Sequence, residues 1–116
     1  GNVLVKKETW LEAGDSYLEA AGAFRASVIA DQGKIVEIKA SKLSAERKER
    51  LLKKKSAQLE AHIQSEAMAF YLAAASLANG GRAEEALRAA EKAAGHPAYK
   101  EKAEDLAARI RASKSA

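Results

Sequence analysis

The chain has no cysteine, a single proline and only six aromatic side chains in 116 residues. Without cysteine there is no disulfide framework, no thiol nucleophile and no thiolate metal ligand. One proline leaves the backbone almost free of obligatory helix breaks. No apolar run approaches the roughly 20 residues that a membrane-crossing helix needs. No export signal is visible. A start at Gly1-Asn2 without an initiator methionine is what a piece of a longer chain would show, so cytoplasmic and exported (periplasmic) locations both stay open.

Alanine is what the sequence has in quantity, at 28 residues. Many alanines and few β-branched residues favour helix over strand, and small side chains let helices approach closely. At this length the expectation is one domain spanning residues 1–116, with a modest core. Charge is mixed: twenty basic against sixteen acidic residues leave +4, too little overall to argue for a nucleic-acid binder.

Large residues at Trp10, Tyr17, Phe24 and Val28, completed by Gly14 and Ala21 and widened by Leu11 and Leu18, fall in alternating steps of four and three. That is one face of a helix beginning near Lys7, after a short apolar lead-in at residues 3–5. Gly22 either interrupts the segment or lets the helix run through at a cost of about 1 kcal/mol relative to alanine, and Ala20-Ala21-Gly22 before a fresh stripe favours a tight break. The segment Ile35-Val36-Glu37-Ile38 alternates like a strand but has no visible partner strand, so it reads as continuing helix with a kink at Gly33. Ser44 opens the clearest element, a helix of about 35 residues and about 50 Å, at about 1.5 Å per residue. Its stripe is Leu52, Leu59, Ile63, Phe70, Ala74 and Leu77, and Gly80-Gly81 stops it. A short helix over residues 83–94 follows. Pro97 fits the start of the last helix, where Tyr99, Ala103, Leu106 and Ile110 recur at helical steps.

Residues 67–97 place an aromatic at Phe70, small residues at Ala73 and Ala74, then Leu77, a glycine turn, Ala86, Ala93 and a closing proline. This pattern resembles a tetratricopeptide repeat, a helix-turn-helix unit of about 34 residues. "GGRAEEALRAAEKA" carries most of the likeness, and Pro97 comes one residue early for it. A weaker echo stands in "WLEAGDSY", with Trp10, Gly14 and Tyr17, where "AFRASVIADQGK" would be the partner helix. The resemblance implies an all-α fold of antiparallel helical hairpins, with one long central helix and a C-terminal capping helix over residues 99–112. Repeat arrays need such a cap because the last hairpin otherwise exposes its stacking face.

Chemistry finds little purchase. Gly-Asp-Ser in "AGDSYL" sits on a helical stripe with no strand before it, and the helix-surface reading prevails. His62 and His96 lie far apart without cysteine, whereas metal sites gather about three or four ligands, so a surface histidine and a turn histidine are expected. Gly80-Gly81 leads to Arg82 rather than to Lys-Ser or Lys-Thr and is no phosphate loop. Glu84-Glu85 and Glu104-Asp105 suit early helical turns. No catalytic residue, metal or cofactor is expected.

The resemblance implies a non-catalytic module that binds a protein or peptide partner. In such units this side of the first helix lines a groove, which carries the role to Met68, Tyr71 and Asn79, and in the weaker unit to Leu11, Asp15 and Leu18. The opposing expectation is that these residues pack within the domain. A coiled-coil-like homo-oligomer through the long helix is a second reading of the same class. From another class comes an electrostatic binder of nucleic acid or a membrane surface through "RKERLLKKK" (Arg47, Lys48, Arg50, Lys53, Lys54, Lys55). Residues 42–55 hold seven basic and two acidic side chains, with Arg47, Arg50 and Lys54 able to share a face. No aromatics interleave to stack on bases, which weighs against nucleic acid and leaves a solvated helix end as the simpler expectation.

Overall fold

A computed structural model describes residues 2–115. They form four helices: α1 (Asn2–Ala40), α2 (Ala45–Asn79), α3 (Ala83–Ala93) and α4 (Lys100–Ser115). No strand occurs among the described residues. The all-α class is therefore as the composition implied, and consecutive helices pack on one another as hairpins, as the resemblance implied.

The long helix begins and ends where local chemistry says it should. Ser44 is extended, and its hydroxyl accepts from the Arg47 amide at 3.3 Å, occupying one of the orphan donors of the first turn. At the far end Arg82 N donates to Leu77 O at 2.9 Å and Gly81 N to Ala78 O at 3.1 Å. Gly81 has φ +90°, so the chain leaves α2 through a left-handed residue that only glycine adopts freely. α3 follows with Glu84 and Glu85 in its first turn, where carboxylates favour the dipole. Pro97 lies in the connecting turn, and α4 starts three residues later, with Tyr99 O accepting from Ala103 N.

The first helix corrects the sequence expectation. No break occurs at Ala21-Gly22, and the apolar residues 3–5 belong to the same helix, which runs through Gly33 to Ala40. The weaker tetratricopeptide echo therefore has no hairpin of its own, since its supposed partner helix continues α1. A glycine inside a helix costs about 1 kcal/mol relative to alanine. Gly22 and Gly33 are both exposed, and a Cβ on either would meet nothing. Along the same helix Gly14, Ala21, Val28 and Asp31 are buried at α1's contact with α2. That contact persists over nearly the whole length and outweighs two local losses.

Where α1 meets the end of α2, each helix supplies a glycine to the other. Leu77 covers Gly14, and Leu11 covers Gly80. Farther along, Arg25 Nε and Nη2 reach the two oxygens of buried Glu66 at 2.6 and 2.7 Å. Beyond that, Asp31 meets His62 at 2.6 Å and Lys55 at 3.1 Å. Lys48 Nζ donates to Lys39 O at 3.1 Å, serving a carbonyl at the end of α1.

α2 is the central element. α1 packs along it, α3 packs on its C-terminal half, and α4 covers α3 and reaches α2 only slightly. Alanine dominates the core: Ala73, Ala74, Ala89, Ala90 and Ala107 form one cluster, while Leu77, Ala86 and Ile110 form another. Ala86 and Ala93 are fully buried where the α2–α3 hairpin closes. α4 turns Ala103, Ala107 and Ile110 inward and leaves Lys100, Glu101, Glu104 and Asp105 exposed, as a capping helix should. The molecule is a rod, 64 × 25 × 15 Å, because half of the α1–α2 hairpin extends beyond α3 and α4.

Candidate interaction surfaces

Two concave surfaces flank α2. α1 and α3 both lie on α2 without approaching each other backbone to backbone. Between them runs an open trough of about 590 Å³ that includes Leu18, Ala21, Gly22, Phe70, Arg25 and Lys92. A smaller continuation adds Glu85, Arg88 and Ala89. Its floor is apolar, since Leu18 and Phe70 pack on the alanine cluster. Its rim is cationic in part: Lys92 Nζ lies 5.1 Å from the Phe70 ring centroid, and Arg25 is held by Glu66. Gly22, exposed and without neighbours, keeps the α1 wall low.

On the other side of α2, a cleft of about 380 Å³ includes Ala78, Asn79, Leu106, Arg109 and Ile110. The ion pair between Lys114 and Glu84 ties the end of α4 to the start of α3 beside it. Nearer the middle of α2, Ala61, Gln64, Ser65, Met68 and Tyr99 line a smaller recess.

The six residues expected to bind a partner do not line one groove. Met68 is 43% exposed in the small recess, and Asn79 is exposed in the α2–α4 cleft. Tyr71, between them along the helix, is half-buried with its ring 6.0 Å from that of Tyr99. Leu11 is half-buried over Gly80, while Leu18 enters the trough floor. Asp15 is exposed and pairs with Arg82 at 3.3 Å. The α1 trio and the α2 trio are thus not brought together on one surface. Arg25, Arg88 and Lys92 had no place in the sequence expectation. The only signal for them was the four-residue spacing of Arg88 and Lys92 on one short helix.

The basic run divides in two. Arg47, Arg50 and Lys54 share one face with Leu51 between them, and Lys53 is exposed beside it. Lys48 and Lys55 are half-buried and engaged by the α1 partners already described. The stripe offered for self-pairing faces inward: Ala74 and Leu77 are buried, and Leu52, Leu59, Ile63 and Phe70 are half-buried.

His62 is not the solvated histidine expected, because its Nδ1 faces buried Asp31. That hydrogen bond is the main reason the Asp31 carboxyl is held below its ordinary value; Lys55 adds a hydrogen bond and a charge, while burial opposes both. His96 does lie in a turn. Its Nδ1 accepts from Ala98 N at 3.1 Å, which leaves Nε2 to donate to Glu60 at 3.1 Å. Among the described residues no three His, Asp or Glu side chains gather as metal ligands. No described helix is long and apolar enough to cross a membrane.

These elements define an all-α protein of antiparallel helical hairpins with a projecting two-helix arm. The chain matches no family model, and no curated protein or solved structure shows significant similarity to it.

Proposed function

We propose that this protein is a non-catalytic, tetratricopeptide-like interaction module that holds a helical segment of a partner protein in the trough between α1 and α3. The observation that carries the reading is the trough itself, an apolar floor of Leu18, Ala21 and Phe70 beside Arg88 and Lys92, with Glu85 near them and Arg25 neutralised by Glu66. A helix laid in a groove presents apolar residues at steps of three and four to such a floor, while its flanks meet the rim. Arg88 and Lys92 favour a partner whose flanks carry carboxylates, since charge complementarity sets orientation and speeds encounter. The tetratricopeptide-like reading draws support from the α2–α3 hairpin, its fully buried Ala86 and Ala93, and the cap α4.

A labelled amphipathic peptide with leucines on one face and glutamates on its flanks tests the reading by fluorescence anisotropy. The intact chain should bind it, and a Lys-flanked version of the same peptide should bind at least about tenfold more weakly. Arg88→Glu/Lys92→Glu should reverse that preference. Equal binding of both peptides, or no change in the double variant, would remove the trough from consideration.

A further inference from the structure

We infer that the projecting end of the α1–α2 hairpin docks on an anionic lipid surface, with Leu51 entering the headgroup layer. Residues 34–55 carry nine basic and three acidic side chains, whereas the rest of the chain carries eleven basic and thirteen acidic. Charge that looks modest over the whole sequence is therefore segregated to one end of a rod 64 Å long.

The fold divides this charge by task. Lys48 and Lys55 are turned toward α1 and used there, on Lys39 O and on Asp31. Arg47, Arg50 and Lys54 share the face that includes Leu51, with Lys53 at its edge. Among the described residues, none of these four cationic side chains has an ion-pair or hydrogen-bond partner. Unpaired cations on a rigid, two-helix arm present a fixed positive face to solvent.

Leu51 decides between polyanions. It is 40% exposed in the middle of the cations, in the part of α2 that α1 alone accompanies. A phosphodiester backbone offers an apolar side chain nothing. A bilayer offers hydrocarbon beneath its phosphates and carboxylates, so the same face gains from both terms. The long stems of Arg and Lys spread along the surface while their heads stay at the headgroups. Nor does the arm contain any aromatic between Phe24 and Phe70 to stack on bases.

The test is co-sedimentation of the full chain with phosphatidylcholine vesicles containing about 30 mol% phosphatidylserine, beside pure phosphatidylcholine, at about 0.1 M salt. Binding should require the anionic lipid and weaken as salt rises. Arg50→Glu/Lys54→Glu should lower partitioning by at least about tenfold. Leu51→Ser should weaken it severalfold while leaving the salt dependence in place. Lys53→Glu/Lys54→Glu provides a second charge variant should the first lose its helical circular dichroism. The trough variant Arg88→Glu/Lys92→Glu should bind vesicles as the parent does, which separates this inference from the proposed function. Absence of sedimentation, or equal binding to neutral vesicles, would overturn the inference. So would duplex DNA binding that Leu51→Ser leaves unchanged together with vesicle binding, since that outcome assigns the face to nucleic acid.

Discussion

Leu77 lies against Gly14 so closely that a Cβ on residue 14 would stand 2.7 Å from both its Cγ and its Cδ2. Leu77 is fully buried and cannot swing into solvent. Gly14→Ala should therefore destabilise the protein: overpacking costs about 1–3 kcal/mol, against about 1 kcal/mol of helix propensity gained. Gly22→Ala and Gly33→Ala meet no neighbour and should each stabilise by about 0.5–1 kcal/mol. Urea unfolding of the three variants checks the contrast. If Gly14→Ala proves as stabilising as the other two, the close approach of α1 to α2 is wrong.

Glu66 is 8% exposed at its side chain and receives two hydrogen bonds from Arg25. Arg25→Met removes both donors and leaves a buried carboxylate facing the trough. A loss of about 1–3 kcal/mol is expected. Adding Glu66→Met should recover most of it, because an apolar pair removes the uncompensated charge. A double variant no more stable than Arg25→Met alone would mean that Glu66 is not the group made costly by the loss.

The Asp31 carboxyl is held below its ordinary value of 3.8, first by the hydrogen bond from His62 and then by Lys55. A carboxyl whose folded pKa is depressed contributes stability above its unfolded pKa and loses it as pH falls through the folded one. Asp31→Asn should accordingly melt below the parent at neutral pH. The two melting curves should converge as pH falls below about 3.8. Thermal melts across the acid range read this directly, and a gap that persists in strong acid would place the stabilisation elsewhere than in the carboxylate.

Tyr71 and Tyr99 join α2 to the start of α4 through rings 6.0 Å apart. A double-mutant cycle to alanine should return a coupling of about 0.5–1.5 kcal/mol, the range for aromatic pairs. Tyr71→Ala alone should loosen α4 and lower the melting temperature without abolishing a cooperative transition. Because Tyr71 faces away from the trough, the variant should still bind the Glu-flanked peptide. A loss of peptide binding in the folded variant would return the interaction surface to the α4 side of α2.

Much of the architecture was written in local signals. Ser44, Gly80-Gly81 and the bounded run "AEEALRAAEKA" fixed α2 and α3 nearly to the residue, because caps and a left-handed glycine act within a few residues of chain. The inward face of α4, with Ala103 and Ile110, followed from periodicity alone. The candidate surfaces were far less legible, since a groove is a relation between helices rather than a pattern along one.

By itself, the sequence determined the helical class, the two inner turns, the short bounded helix and the apolar stripes of α2 and α4, all through short-range propensity and spacing, whereas Trp10 of the α1 stripe is 43% exposed. Only the tertiary structure decided that α1 runs unbroken through Gly22 and Gly33, since burial of Gly14, Ala21 and Val28 against α2 outweighs about 1 kcal/mol per glycine. The same pairing brought Asp31 to Lys55 and His62, and Arg25 to Glu66. It also left Arg47, Arg50 and Lys54 unpaired around Leu51. Which charges are spent inside a hairpin depends on its register, and register is set by packing along two long helices rather than by residues adjacent in the chain.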